Sequence, residues 1–124
     1  MLNRPKAIIY CRKSSESGDQ QSVSIESQEE QCLKLAERHN ISDYCFLKEA
    51  KSAHYTGRPM FAGMMAKLLS GEYDTIICWK IDRLSRNPIE AGEVVDLLQR
   101  KVIKRIITMD KVYCSDGIKM LKTF

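Results

Sequence analysis

Residues 74–86 read DTIICWKIDRLSR, and the abrupt change of chemistry inside this stretch organises the rest of the chain. Thr75, Ile76, Ile77, Cys78 and Trp79 are β-branched, apolar or aromatic, and the run predicts a buried central strand over 74–80. Charges follow at its carboxyl end: Asp82, Arg83 and Arg86. Open α/β sheets build their ligand sites where strands end, so this cluster is a candidate site on position alone.

Outward from that strand, apolar runs alternate with helical stripes. Residues 7–11 form a short apolar run ending at Arg12, and the polar stretch 12–21 is too rich in Ser and Gly to be core. Ile25, Cys32, Leu35 and Ala36 fall on one stripe of a helix over 24–38, with Ser22 or Ser24 as its N-cap and Asn40 as its stop. A strand over 44–47 leads into a second polar loop that closes on Arg58 and Pro59. Pro59 starts a second helix carrying Met60, Phe61, Met64, Met65, Leu68 and Leu69, stopped by Gly71. Beyond the opening stretch, Pro88 starts a third helix with Ile89, Val94, Val95 and Leu98 inward, and a fourth strand covers 102–108. Val112 and Tyr113 suit a short edge strand; Ile118, Met120, Leu121 and Phe124 look like the opening of a helix. Strands and helices in this alternation predict an α/β fold: a mostly parallel sheet of four to five strands with helices on both faces.

Composition sets the class. A chain of 124 residues, 44% hydrophobic and 29% charged, is read as one folded domain, and its net charge of +4 permits a polyanionic partner. Its five cysteines are odd in number, and Cys11, Cys45 and Cys78 lie inside apolar runs, which points to reduced thiols in a cytoplasmic protein. His39 and His54 share no metal-ligand spacing, so no metal site is expected. No stretch reaches the length of a membrane span, and neither GxGxxG nor GxxxxGK[ST] occurs. Cys32 and Arg38 have the Cys-x5-Arg spacing of a phosphatase loop, but they lie on the first amphipathic helix, which lacks the glycines such a loop needs.

In a parallel sheet the loops after the first three strands leave from the same end. Arg12, Ser14 and Ser15 then meet Arg58, Asp82, Arg83 and Arg86. Arginines gathered around one or two serines repel one another unless an anion sits among them, and phosphate fits the guanidinium fork best. A serine there is suited to attack phosphorus while guanidinium groups stabilise the charge that develops.

In this order and spacing the motifs resemble the catalytic domain of serine recombinases, the resolvase, invertase and large integrase group, from about residue 7 to residue 108. Tyr10, Arg12 and Ser14 match Y-x-R-x-S; Ser27 and Gln28 stand in SIESQEEQC; Arg58 and Pro59 match the Arg-Pro before the second helix; GEYDTIICWKIDRLSRN is the most specific stretch. KSSES and SVSIESQ favour the large serine integrase or transposase type. The sequence departs from the family where Lys48 replaces the usual Asp before Glu49, and where Ala53 replaces Gly.

The resemblance implies a resolvase-like catalytic domain of a mobile element that cleaves and rejoins double-stranded DNA through a 5′-phosphoserine intermediate, without metal or other cofactor. Ser14 is then the nucleophile, Arg12, Arg58, Arg83 and Arg86 hold the phosphate, Asp82 orients an arginine or helps move a proton, and Tyr10, Gln28 and Lys67 assist. The general base is left open. Strand exchange in this family takes place in a homo-oligomer, dimer to tetramer, on DNA. Residues 1–124 are expected to be that catalytic domain, ending near the start of a long oligomerisation helix. The alternative is a catalytically incomplete fragment acting only as a protein or DNA interaction module.

Overall fold

β1 (Lys6–Arg12) is buried at every position after Lys6, as a strand is when neighbours flank it and both faces of its sheet are covered. In this computed structural model residues 5–12, 24–49, 59–85 and 87–115 are described. After β1 come α1 (Ile25–Arg38), β2 (Asp43–Glu49), α2 (Pro59–Leu69), β3 (Thr75–Ile77), a 3₁₀ turn (Ile81–Arg83), α3 (Pro88–Gln99), β4 (Arg105–Ile107) and β5 (Val112–Cys114). The strand order is β2-β1-β3-β4-β5. Every neighbouring pair is parallel except β4 and β5, so the expected mostly parallel sheet is met, edge strand included.

Alternation along the strands divides the core. Ile8, Tyr10, Ile76, Cys78 and Ile106 face Phe61, Met64 and Leu68 of α2 and Val94, Leu97 and Leu98 of α3. Ala7, Ile9, Cys11, Ile77 and Ile107 face Cys32, Leu35 and Ala36 of α1. Each of the larger side chains contributes about 1.5–3 kcal/mol by leaving water, so helices cover both faces because neither face tolerates solvent.

The helix ends follow their sequence signals. Ser24 caps α1, its Oγ accepting from Ser27 N–H at 3.1 Å. Asn40 takes φ 59° just past the C-cap His39 of α1, and Gly71 takes φ 85° after α2. Asn87 caps α3 by accepting from Glu90 N–H at 2.9 Å, with Pro88 in the first turn.

Three expectations need correction. β3 is shorter than 74–80: Cys78 N–H still bonds Ile107 O at 3.0 Å, but the chain then bends toward the 3₁₀ turn. β4 is shorter than 102–108, because Val102 and Ile103 donate their N–H groups to Leu97 O at 2.9 and 3.1 Å and so close α3. Ile89 is 76% exposed rather than inward. It lies about 140° around the helix from Val94, and Leu97 takes the inward place. The expected terminal helix at residues 118–124 lies outside the described residues.

Candidate active site at the carboxyl end of the sheet

β1 and β3 are parallel neighbours, registered through Ile9 and Ile77, so both deliver their succeeding residues to the same end of the sheet. β1 delivers Arg12, the last residue of the strand and only 9% exposed. Its backbone is gripped by Gln28: Arg12 N–H donates to Gln28 Oε1 at 3.2 Å, and Gln28 Nε2 donates to Arg12 O at 2.8 Å. The amide supplies the donor and acceptor that another strand would offer, beyond the point where β3 stops pairing with β1. Gln28 is fully buried, although it is a polar residue on the apolar stripe of α1. A glutamine at that position is itself the sequence signal, since a buried amide needs partners for its donor and acceptor.

Sequence reasoning missed a second organiser. Glu49 ends β2, is 2% exposed, and accepts from Tyr10 Oη at 3.1 Å, from Phe61 N–H at 2.9 Å and from Met60 N–H at 3.3 Å. The carboxylate therefore caps the start of α2 and ties it to β1. Negative charge belongs at a helix N-terminus, where free N–H groups and the helix dipole meet it. Tyr10, its donor, also packs edge-on against Phe61, with centroids 6.1 Å apart. No local pattern reveals this cap, because the acceptor lies 11 and 12 residues before the N–H groups it satisfies. Lys48, beside Glu49, pairs with Glu29 of α1 at 3.1 Å.

After β3, Asp82 and Arg83 fall in the 3₁₀ turn. Arg83 is 8% exposed, with its Cζ 5.4 Å from the Trp79 ring centroid; Lys80 Nζ is 5.2 Å from the same ring. Arg12 and Arg83 are thus both largely withdrawn from water at neighbouring strand ends, a setting that favours negative charge nearby. Ser14, Ser15, Arg58 and Arg86 lie outside the described residues. Lys67 is not brought together with Arg12 and Arg83. Its Nζ lies 5.7 Å from the Tyr73 ring, which Lys6 also approaches at 5.6 Å. α2 starts at the carboxyl end and runs back across the sheet, so a residue near its C-terminus arrives at the amino end.

Cys11, Cys32 and Cys78 are buried thiols that form no disulfide. The Cys32 thiol is pushed up by a hydrogen bond with Cys11 and then by burial, which makes it an inert apolar group. Among the described residues no cluster of His, Cys, Asp and Glu has the makings of a metal site, and no helix is long and apolar enough to cross a membrane.

A family profile described as "Resolvase, N terminal domain" matches residues 7–120. Among solved structures, the N-terminal catalytic domain of TP901-1 integrase is similar at a TM-score of 0.71 and 21% identity, over 95% of this chain and 90% of that one. A resolvase family site-specific recombinase from Streptococcus pneumoniae gives 0.69 and 18%, over 97% and 85%. The C-terminal catalytic domain of ISC1926 TnpA, an IS607-like serine recombinase, gives 0.64 and 19%, over 93% and 75%. At these identities the likeness speaks for the fold. No curated protein matches the sequence.

Proposed function

Because this chain belongs to the resolvase N-terminal domain family of serine recombinases, we propose that it cuts and rejoins DNA through a serine nucleophile. Ser14 Oγ gives up its proton and bonds to a backbone phosphorus, the bond from phosphorus to the 3′ oxygen breaks, and the 3′ oxygen takes up a proton, so that the protons lost and gained balance. A 5′-phosphoserine link and a 3′ hydroxyl result. Attack by a 3′ hydroxyl on that link reverses the step and reseals the strand. One phosphate ester is exchanged for another, so the reaction stores its own bond energy. Arg12, Arg58, Arg83 and Arg86 hold the phosphate and stabilise the charge on its non-bridging oxygens, and Asp82 orients an arginine. Gln28 and Tyr10 act from behind, on the backbone of Arg12 and on Glu49. Lys67 assists only through a rearrangement that carries it away from Tyr73. Double-stranded DNA and further copies of the chain are the partners, and the protein works in the cytoplasm on DNA.

The observation that carries this reading is the burial of Arg12 and Arg83 at the ends of adjacent parallel strands, with Arg12 two residues before Ser14. Surface arginines of a merely basic protein keep their head groups in water. The test uses duplexes of randomised sequence carrying 3′-bridging phosphorothiolates, whose departing thiolate makes cleavage irreversible. The wild type is expected to become covalently attached, and Ser14→Ala to form no adduct. A Ser14→Ala protein that is still trapped on the DNA overturns the proposal. DNA binding with no adduct from the wild type supports the interaction-module alternative.

A further inference from the structure

We propose that Trp79 is the positioning residue for Arg83, a shelf that fixes the guanidinium plane for phosphate; this rests on the function proposed above. Trp79 is the chain's single tryptophan and stands where β3 gives way to the 3₁₀ turn. Four positions later the turn brings Arg83 Cζ to 5.4 Å from the indole centroid, within the range of a cation–π contact. Lys80 Nζ at 5.2 Å adds a second cation to the same ring. Two cations beside one another repel, and the electron-rich face of the indole offsets part of that repulsion.

The ring is half-buried, as the end of a central strand requires, while Arg83 itself is buried. A long flexible arginine loses rotamer freedom when it must hold one geometry for catalysis. Contact with an aromatic face restricts the side chain before substrate arrives. A guanidinium stacked on a ring through its flat face can still direct N–H groups from its edge to phosphate oxygens. The rest of the turn is shaped to the same end: Arg83 N–H bonds Lys80 O at 2.9 Å, and Leu84, fully buried, bonds Ile81 O at 3.0 Å. With the backbone pinned on both sides of Arg83, the indole is a restraint placed on the side chain itself. The sequence motif WKIDR therefore carries its own support for its arginine.

Two measurements test this. In adduct formation on the phosphorothiolate duplexes, Trp79→Leu is expected to slow cleavage about 10-fold with DNA affinity changed less than about 2-fold, and Trp79→Phe to retain the rate within about 3-fold. In an Arg83→Ala background Trp79→Leu should add no further loss. Independent losses that multiply in the double variant overturn the inference, as does a Trp79→Leu protein of unchanged melting temperature and unchanged rate. The second measurement needs no cutting. Emission from Trp79 is followed while unmodified randomised duplex, and separately inorganic phosphate, is added. A saturable change that Arg83→Ala removes supports the inference; emission indifferent to both probes, or a change that survives Arg83→Ala, overturns it. A wild type that forms no adduct yet gives the Arg83-dependent emission change sinks the proposed reaction and leaves the positioning role standing.

Discussion

At the amino end of the sheet Lys6, Lys67, Arg38 and Arg105 stand exposed or half-buried, whereas at the carboxyl end Arg12 and Arg83 are withdrawn from water. Both ends are basic, so the net charge of +4 does not say which one faces a polyanion. The difference lies in what holds the cations. Lys6 and Lys67 lie near the face of Tyr73, a loose contact that solvent screens. Arg12 has its backbone clamped by a buried amide, and Arg83 rides on a turn whose N–H groups are engaged. Positive charge is abundant in this chain, and rigidly held positive charge is the scarcer quantity that catalysis on a phosphate needs.

The most severe test of the contrast is Arg83→Ala, expected to slow covalent adduct formation by about 100- to 1000-fold with the fold retained by circular dichroism. A loss under about 10-fold would put Arg83 on a par with a surface cation. Next comes Gln28→Ala, which takes away the amide that pairs with Arg12 N–H and C=O; it should cost about 2–4 kcal/mol in urea unfolding. An unchanged midpoint would mean that the end of β1 does not depend on α1.

Glu49→Gln keeps the shape but sets an amide NH₂ against the donors of Tyr10, Met60 or Phe61. A stability loss of about 1–2 kcal/mol is expected, smaller than for Gln28→Ala. Lys67→Ala is expected to change the cleavage rate less than about 3-fold, as suits an ion that solvent screens. A loss as deep as that of Arg83→Ala would bring the amino end into the reaction and erase the comparison.

The smallest effect concerns His39 at the end of α1, whose pKa is lowered by burial and by Arg105 and Arg38. A base whose folded pKa is depressed adds stability that is complete above its unfolded value of 6.5 and is lost as pH falls through the folded value. The melting temperature of the wild type should therefore sag slightly below pH 6.5, and His39→Gln should flatten that part of the curve. An identical sag in His39→Gln would assign it to other groups.

Much of the fold was legible because it rests on local rules. Ser24, Asn40, Pro59, Gly71 and Pro88 mark helix ends by the N–H groups they lack or satisfy, or by the φ they tolerate. Residues 7–11 and 75–77 are apolar almost throughout because both faces of a parallel sheet are covered. Less legible were the strand ends after Ile77 and before Arg105, where the same β-branched residues serve either a ladder or a turn. Ile89 misled for a simpler reason: its side chain is apolar, but its angle around α3 points it outward.

The candidate site divides in the same way. Arg12, Ser14, Arg58, Asp82, Arg83 and Arg86 were singled out from residue type, strand-end position and motif order, all of which are linear properties. That Glu49 caps a helix beginning ten residues later, that Gln28 stands in for a missing strand, and that Lys67 is carried to the far end of the sheet are consequences of packing. Order along the chain determines which chemical groups exist and which strand end delivers them. Only the folded arrangement decides which of them are dry and held, because burial and long-range hydrogen bonds join segments that the linear order keeps apart.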